Sequence, residues 1–283
     1  MPALPLLAAA LLAPPAYPFE ATVVGSGPPV IFVPGLGCSG RVWDGAVEHF
    51  KGTHECHVLT LAGFAGVNPL PADAPYLDTV AAGVVRYARD KKLTRPAVVG
   101  HSLGATVALK AGILGGADVG PVVLVDGYPC VFALFKPDMT ADQLKAAGAA
   151  ERVRIEKLTR AQYLADLRTM FGDWLAGDRL ESAMGWLAAS DRGTLARAKG
   201  ELFASDLRAE VGKCHGPVTV LLAYDPAVEK FGVTRDQFVG RAAAQVKPAK
   251  RGAVVVRDGA KHFVMYDDPA WTHEQIRRAI SGN

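Results

Sequence analysis

The side chains in this chain whose types and order could do covalent chemistry are one serine, two aspartates and one histidine. Ser102 stands in Val98-Val99-Gly100-His101-Ser102-Leu103-Gly104, where an apolar run drives into a glycine-flanked serine and a helix-forming segment, 105–111, follows at once. A hydroxyl is a poor nucleophile at neutral pH, so it needs a base within hydrogen-bond reach and a third group to orient that base. His262, placed after the last apolar run by the short loop Arg257-Asp258-Gly259-Ala260-Lys261, is the expected base. Asp225 ends one apolar run before Pro226, and Asp126 ends the preceding one before Gly127. Asp225 is the expected orienting acid; Asp126 is the alternative, and otherwise a structural carboxylate satisfied by backbone N–H groups. His101 braces the turn, since adjacent residues on a turn point apart. His49, His54, His57, His215 and His273 read as surface residues, and Asp258 and Asp267 as solvated carboxylates.

The serine needs a strand, a tight turn and a helix beneath it. On such a turn, side chains two residues before and after would collide, and glycine at 100 and 104 removes the collision. Attack on a carbonyl puts negative charge on its oxygen, so preorganised N–H donors are required. Leu103, at the start of the helix, offers one, and Leu36, in the loop Pro34-Gly35-Leu36-Gly37-Cys38-Ser39-Gly40, offers the second.

The elements around these residues alternate. Strands are expected at 19–24, 30–33, 56–61, 97–99, 122–125, 218–224 and 252–256, and helices at 41–50 and 77–90, after Ser102, from 234 to about 246, and at the end. Valine-rich buried strands alternating with helices predict a mostly parallel sheet covered on both faces, with function at the carboxyl ends of its strands. From 127 to 212 the pattern is helical throughout, which marks an insertion into a core of 17–126 and 213–283. Thr-x-x-Gln boxes place helix starts at Thr140, Thr159 and Thr234, and the start of the last helix is marked by Pro269 and by Thr272 with Gln275. Within the insertion, Leu164, Leu167, Met170, Phe171, Trp174 and Leu175 recur at helical spacing; Trp174 and Trp186 are candidates to line a substrate pocket.

With 283 residues, half of them hydrophobic and 21% charged, the chain can bury the core of one large domain. A net charge of +3 without a block of like charges gives no footprint for nucleic acid or a membrane surface. The apolar run at 3–13 is too short to span a bilayer and, followed by Pro14-Pro15-Ala16, reads like the core of a signal peptide ending near 16, implying a periplasmic or secreted protein; the alternative is an apolar N-terminal arm packed on the domain of a cytoplasmic one. Cys38, Cys56, Cys130 and Cys214 lack the close spacing of a zinc site; they permit two disulfides, one of which could join Cys130 to Cys214, or four buried thiols.

Taken together, these motifs resemble the α/β-hydrolase superfamily, specifically its members with a helical lid. Pro34-Gly35-Leu36-Gly37 resembles the oxyanion loop, Gly100-His101-Ser102-Leu103-Gly104 the nucleophile elbow, Asp225 the acid, and Lys261-His262-Phe263-Val264-Met265 the histidine segment. Pro34 stands where many members carry histidine. The resemblance implies a serine hydrolase with no metal and no cofactor. The expected substrate is a small-molecule carboxylic ester of small to medium, largely apolar character. Lactone opening, carbon–carbon cleavage and low-turnover ligand binding are the alternatives on the same residues.

Overall fold

The computed structural model describes residues 17–281, so the expected signal segment at 1–16 lies outside the described residues. Seven strands, β1 (Phe19–Gly25), β2 (Pro29–Val33), β3 (Glu55–Leu61), β4 (Ala97–His101), β5 (Val122–Val125), β6 (Val218–Tyr224) and β7 (Gly252–Asp258), form one sheet in the order β1-β3-β2-β4-β5-β6-β7. Only the β1–β3 pair is antiparallel. Every residue of β4 and β5 is buried, so side chains pointing to either side of the pleat meet protein. That is the signature of a parallel sheet covered on both faces.

The covering helices are α1 (Asp44–Phe50) with α10 (Pro269–Ser281), which pack together, and α2 (Tyr76–Asp90) with α3 (Leu103–Gly115), which form a second pair. Helix α8 (Arg235–Val246) packs on β6 and β7, and the short α9 (Val264–Asp267) follows the histidine loop. Almost every side of α3 is apolar and buried, which makes it a core helix standing directly behind Ser102.

Between β5 and β6 the chain runs through α4 (Ala141–Lys157), α5 (Arg160–Gly172), α6 (Gly177–Ala189) and α7 (Arg192–Ala204), with no strand. The capping boxes at Thr140, Thr159 and Thr234 are formed as expected, with both reciprocal hydrogen bonds in each. The box at Thr272 is not: α10 already starts at Pro269, the Asp268 carboxylate accepts from the Trp271 N–H at 3.0 Å, and the Thr272 hydroxyl donates to the Val264 carbonyl. Helix α2 is capped from outside its own segment. Its N-cap position is Pro75, which has no side-chain acceptor, and the Glu201 carboxylate of α7 accepts from both Tyr76 N–H and Leu77 N–H at 2.8 Å.

The cysteines resolve toward thiols. All four are free and buried, so no Cys130–Cys214 tie exists. Burial pushes the Cys38 thiol up to about 12 and those of Cys56 and Cys214 to about 11. Two histidines read as surface residues are instead buried: His57 meets the Tyr87 hydroxyl at 2.8 Å and Glu55 at 2.7 Å, and His273 stacks on His49. No helix among the described residues is long and apolar enough to cross a membrane.

Candidate active site

Ser102 sits between β4 and α3 with φ 55° and ψ −120°, a conformation that side chains rarely adopt. The turn is tight enough that a methyl group on Gly100 would sit inside the Gly104 carbonyl, and one on Gly104 would strike the Val33 and Pro34 carbonyls. The two glycines are therefore steric requirements of the tight turn that presents the Ser102 hydroxyl to the cavity.

His262 lies between Ser102 and a carboxylate. Its Nε2 is 2.9 Å from Ser102 Oγ, and its Nδ1 is 2.6 Å from Asp126 Oδ2. A carboxylate only accepts, so Nδ1 carries the proton and donates to Asp126, leaving Nε2 to accept from the serine hydroxyl. The other carboxylate oxygen, Asp126 Oδ1, accepts from the Tyr128 hydroxyl at 2.6 Å and from Ala223 N–H at 3.2 Å. Burial, followed by the Asp126 charge, raises Tyr128 well above the usual phenol range, so it stays a donor.

The acid expected from the sequence is thus corrected: Asp126, not Asp225, reaches the histidine. Asp225 does follow β6 directly and lines the same cavity, but its Oδ1 accepts from Ala227 N–H at 2.9 Å, capping the turn that begins at Pro226. Its carboxylate serves its own chain. Asp126 is turned by a positive φ of 43°, and Gly127 lets the chain pass against the elbow, since a methyl group there would meet Ala105 Cβ and the Ser102 carbonyl.

His101 braces the His262 loop rather than the serine. Its Nε2 is 2.8 Å from the His262 carbonyl, an acceptor only, so Nε2–H donates. Complete burial, then repulsion from His262, holds the His101 ring well below the ordinary imidazole range, which keeps it neutral. Asp267, read as solvated, accepts from the Lys261 N–H at 2.6 Å and closes the same loop.

The loop at 34–40 crosses close to the serine: a methyl group on Gly35 would lie 3.3 Å from Ser102 Cβ. Leu103 occupies the first position of α3, where no preceding turn supplies an acceptor for its N–H. Leu36, Ser102 and His262 open into a cavity of about 570 Å³. Its walls include Met170, Phe171 and Trp174 on one stretch of the insertion, and Phe203, Phe135 and Phe238 elsewhere. Trp186 is not part of the wall; it packs half-buried against the hydrophobic core. Among the described residues no group of three or more histidine, cysteine, aspartate or glutamate side chains is placed to hold a metal ion.

Residues 30–275 match the profile described as the alpha/beta hydrolase family. The chain belongs to that family. Among curated proteins, this hydrolase is 24% identical over 245 residues to an N-formylmaleamate deformylase of Pseudomonas putida, covering 86% of this chain and 85% of the relative. It is 36% identical over 106 residues to a pimeloyl-(acyl-carrier protein) methyl ester esterase of Methylococcus capsulatus, a stretch that is 37% of this chain and 39% of the relative. Among solved structures, MenH from S. aureus superposes with a TM-score of 0.74 at 15% identity, covering 93% of this chain and 98% of that one, a likeness of fold.

Proposed function

We propose that this hydrolase cleaves carboxylic esters of small to medium, largely apolar substrates through an acyl-enzyme, with Ser102 as nucleophile, His262 as base and Asp126 as orienting acid. The observation that carries the reading is the unbroken chain from Asp126 through His262 to Ser102, at 2.6 and 2.9 Å, ending in a cavity with predominantly apolar walls. Ser102 Oγ attacks the carbonyl carbon while its proton passes to His262 Nε2. The imidazolium then returns that proton to the leaving alkoxide, and the C–O ester bond breaks. Water, deprotonated by the same Nε2, repeats the sequence on the acyl-enzyme and releases the acid and free Ser102. The N–H groups of Leu103 and Leu36 receive the oxyanion; removing one such donor typically costs about 2.7–4 kcal/mol of transition-state stabilisation. The helical insertion at 127–212 serves as the cap over the substrate.

An esterase among the relatives supports ester cleavage, and a deformylase supports acyl–nitrogen cleavage as a second reading. The test is a panel of p-nitrophenyl esters, lactones and N-formyl amides assayed beside Ser102→Ala. Turnover of the esters lost in the variant is the expected result. Equal activity of the two proteins removes Ser102 from the chemistry, and activity confined to the amides selects the second reading.

A further inference from the structure

The corner of the insertion between α5 and α6 is fastened to the loop that carries the base. Lys261, beside His262, donates from Nζ to the Asp173 carbonyl at 2.7 Å. From the far side of the corner, Arg179 donates to the Tyr266 carbonyl at 2.7 Å, and its guanidinium lies 4.6 Å over the Tyr266 ring. Between these two fastenings stands Trp174, half-buried, with its ring centroid 4.5 Å from that of His262 and the planes inclined at 48°. Phe171 and Phe263 back the indole at 5.6 and 6.3 Å. Arg179 itself is exposed and is not part of the cavity wall.

We propose that Trp174 is a positioning residue for His262, held in place by the Lys261 and Arg179 clamp, so that docking of the insertion's corner completes the catalytic base. The inference rests on the proposed serine-hydrolase reading. In both acylation and deacylation the imidazole gains a proton at Nε2 and becomes a cation in the transition state. An indole packed over that ring is attracted to the cation more than to the neutral form, and it keeps water from competing for the ring. The contact therefore strengthens as the barrier is climbed, which lowers the barrier rather than tightening substrate binding. A substrate-wall role for the same indole would act on KM instead.

The experiment is a double-mutant cycle on the full chain with p-nitrophenyl acetate, a substrate short enough to leave most of the cavity empty. Trp174→Leu is expected to lower kcat about ten-fold with KM within about two-fold, and Trp174→Phe to recover most of that loss. Arg179→Ala is expected to lower kcat about two- to five-fold with KM unchanged, although it touches no substrate. Because both act through one element, the double variant should be no slower than Trp174→Leu alone. A Trp174→Leu variant with full kcat and raised KM overturns the proposal, as does a double variant whose loss is the product of the single losses. Should Trp174→Leu fail to fold, the exposed Arg179→Ala and its Arg179→Lys rescue still decide: undiminished kcat in Arg179→Ala overturns it. Wild-type protein with no turnover sensitive to Ser102→Ala sinks the hydrolase reading itself, whereas wild-type turnover with an indifferent cycle sinks only the role of Trp174.

Discussion

Replacing Asp126 by asparagine tests the whole assignment of the site, because the two side chains have nearly the same shape. Oδ1 of Asp126 receives two donors, the Tyr128 hydroxyl at 2.6 Å and Ala223 N–H at 3.2 Å, while Oδ2 faces His262 Nδ1 at 2.6 Å. Those donors orient the replacement: the amide oxygen takes the Oδ1 place and the NH₂ group is turned toward Nδ1. An NH₂ needs an acceptor, so the imidazole proton shifts from Nδ1 to Nε2, and Nε2 can no longer accept from Ser102. The same change in serine-protease triads costs about 10⁴ in kcat, roughly 5.5 kcal/mol of barrier. A loss of that order is expected for Asp126→Asn, with the thermal midpoint little changed. Asp225→Asn keeps an oxygen for Ala227 N–H and is expected to retain activity within about three-fold. Steady-state turnover of p-nitrophenyl butyrate by the two variants, with circular dichroism melts as the folding control, makes the comparison. If Asp225→Asn is the inactive one while Asp126→Asn turns over normally, the geometry at the end of β5 has been misassigned a role.

Four further outcomes follow from particular features. With a cavity of about 570 Å³, kcat/KM along a series of p-nitrophenyl esters should peak at short to medium acyl chains; a steady rise beyond about a dozen carbons contradicts a pocket of ordinary size. Glu201→Ala removes the carboxylate that accepts from the first amides of α2 and should lower stability by about 1–2 kcal/mol in urea titrations, a loss that Glu201→Gln recovers in part. Burial holds His101, His57 and His273 below their unfolded value near 6.5, so the unfolded chain binds more protons as pH falls through that value. Stability should therefore be full above about pH 7 and drop by up to about 1.4 kcal/mol per pH unit for His101 alone on going to pH 5; denaturation midpoints that stay level over that range contradict it. The four cysteines should resist thiol reagents in the native protein and all react after denaturation, whereas a mass two or four units below the fully reduced value would reveal disulfides.

Much of the fold was legible because local rules and global packing agree. The Val-rich runs that became β4 and β5 are apolar without alternation, which only a sheet covered on both faces accommodates. The boxes at Thr140, Thr159 and Thr234 need nothing but their own four residues, so they formed where the spacing put them. Thr272 shows the limit of such a motif. Pro269 fixes a helix start three residues earlier, and Asp268 supplies the cap, so an apt pair of residues was left inside the helix. His57 and Trp186 fail differently. Whether a histidine is buried depends on elements far along the chain, here α2 with Tyr87, and helical spacing cannot say which tryptophan faces the cavity.

Which carboxylate reaches the histidine was the one part of the proposed triad that the order of residues could not decide, and the reason is geometric. Asp126 and Asp225 directly follow adjacent parallel strands, so each is within a side chain's reach of the region above the sheet, and both precede His262 in the chain. What separates them is where each carboxylate spends its hydrogen bonds. Asp225 is followed by proline, and an aspartate before a proline at the first helical position is a capping arrangement. That local signal already commits its oxygen to the Ala227 amide. Asp126 is followed by Gly127 and Tyr128, and Tyr128 brings its phenol back onto the carboxylate. The other oxygen faces His262 Nδ1–H at 2.6 Å. The rule that emerges can be tested on this chain: in Pro226→Ala the cap persists through the Asp225 side chain and activity is unaffected, whereas Tyr128→Phe, which loosens Asp126 while leaving its charge, lowers kcat about ten-fold with KM unchanged. Equal activity of Tyr128→Phe and wild type would mean that Ala223 N–H alone orients the acid.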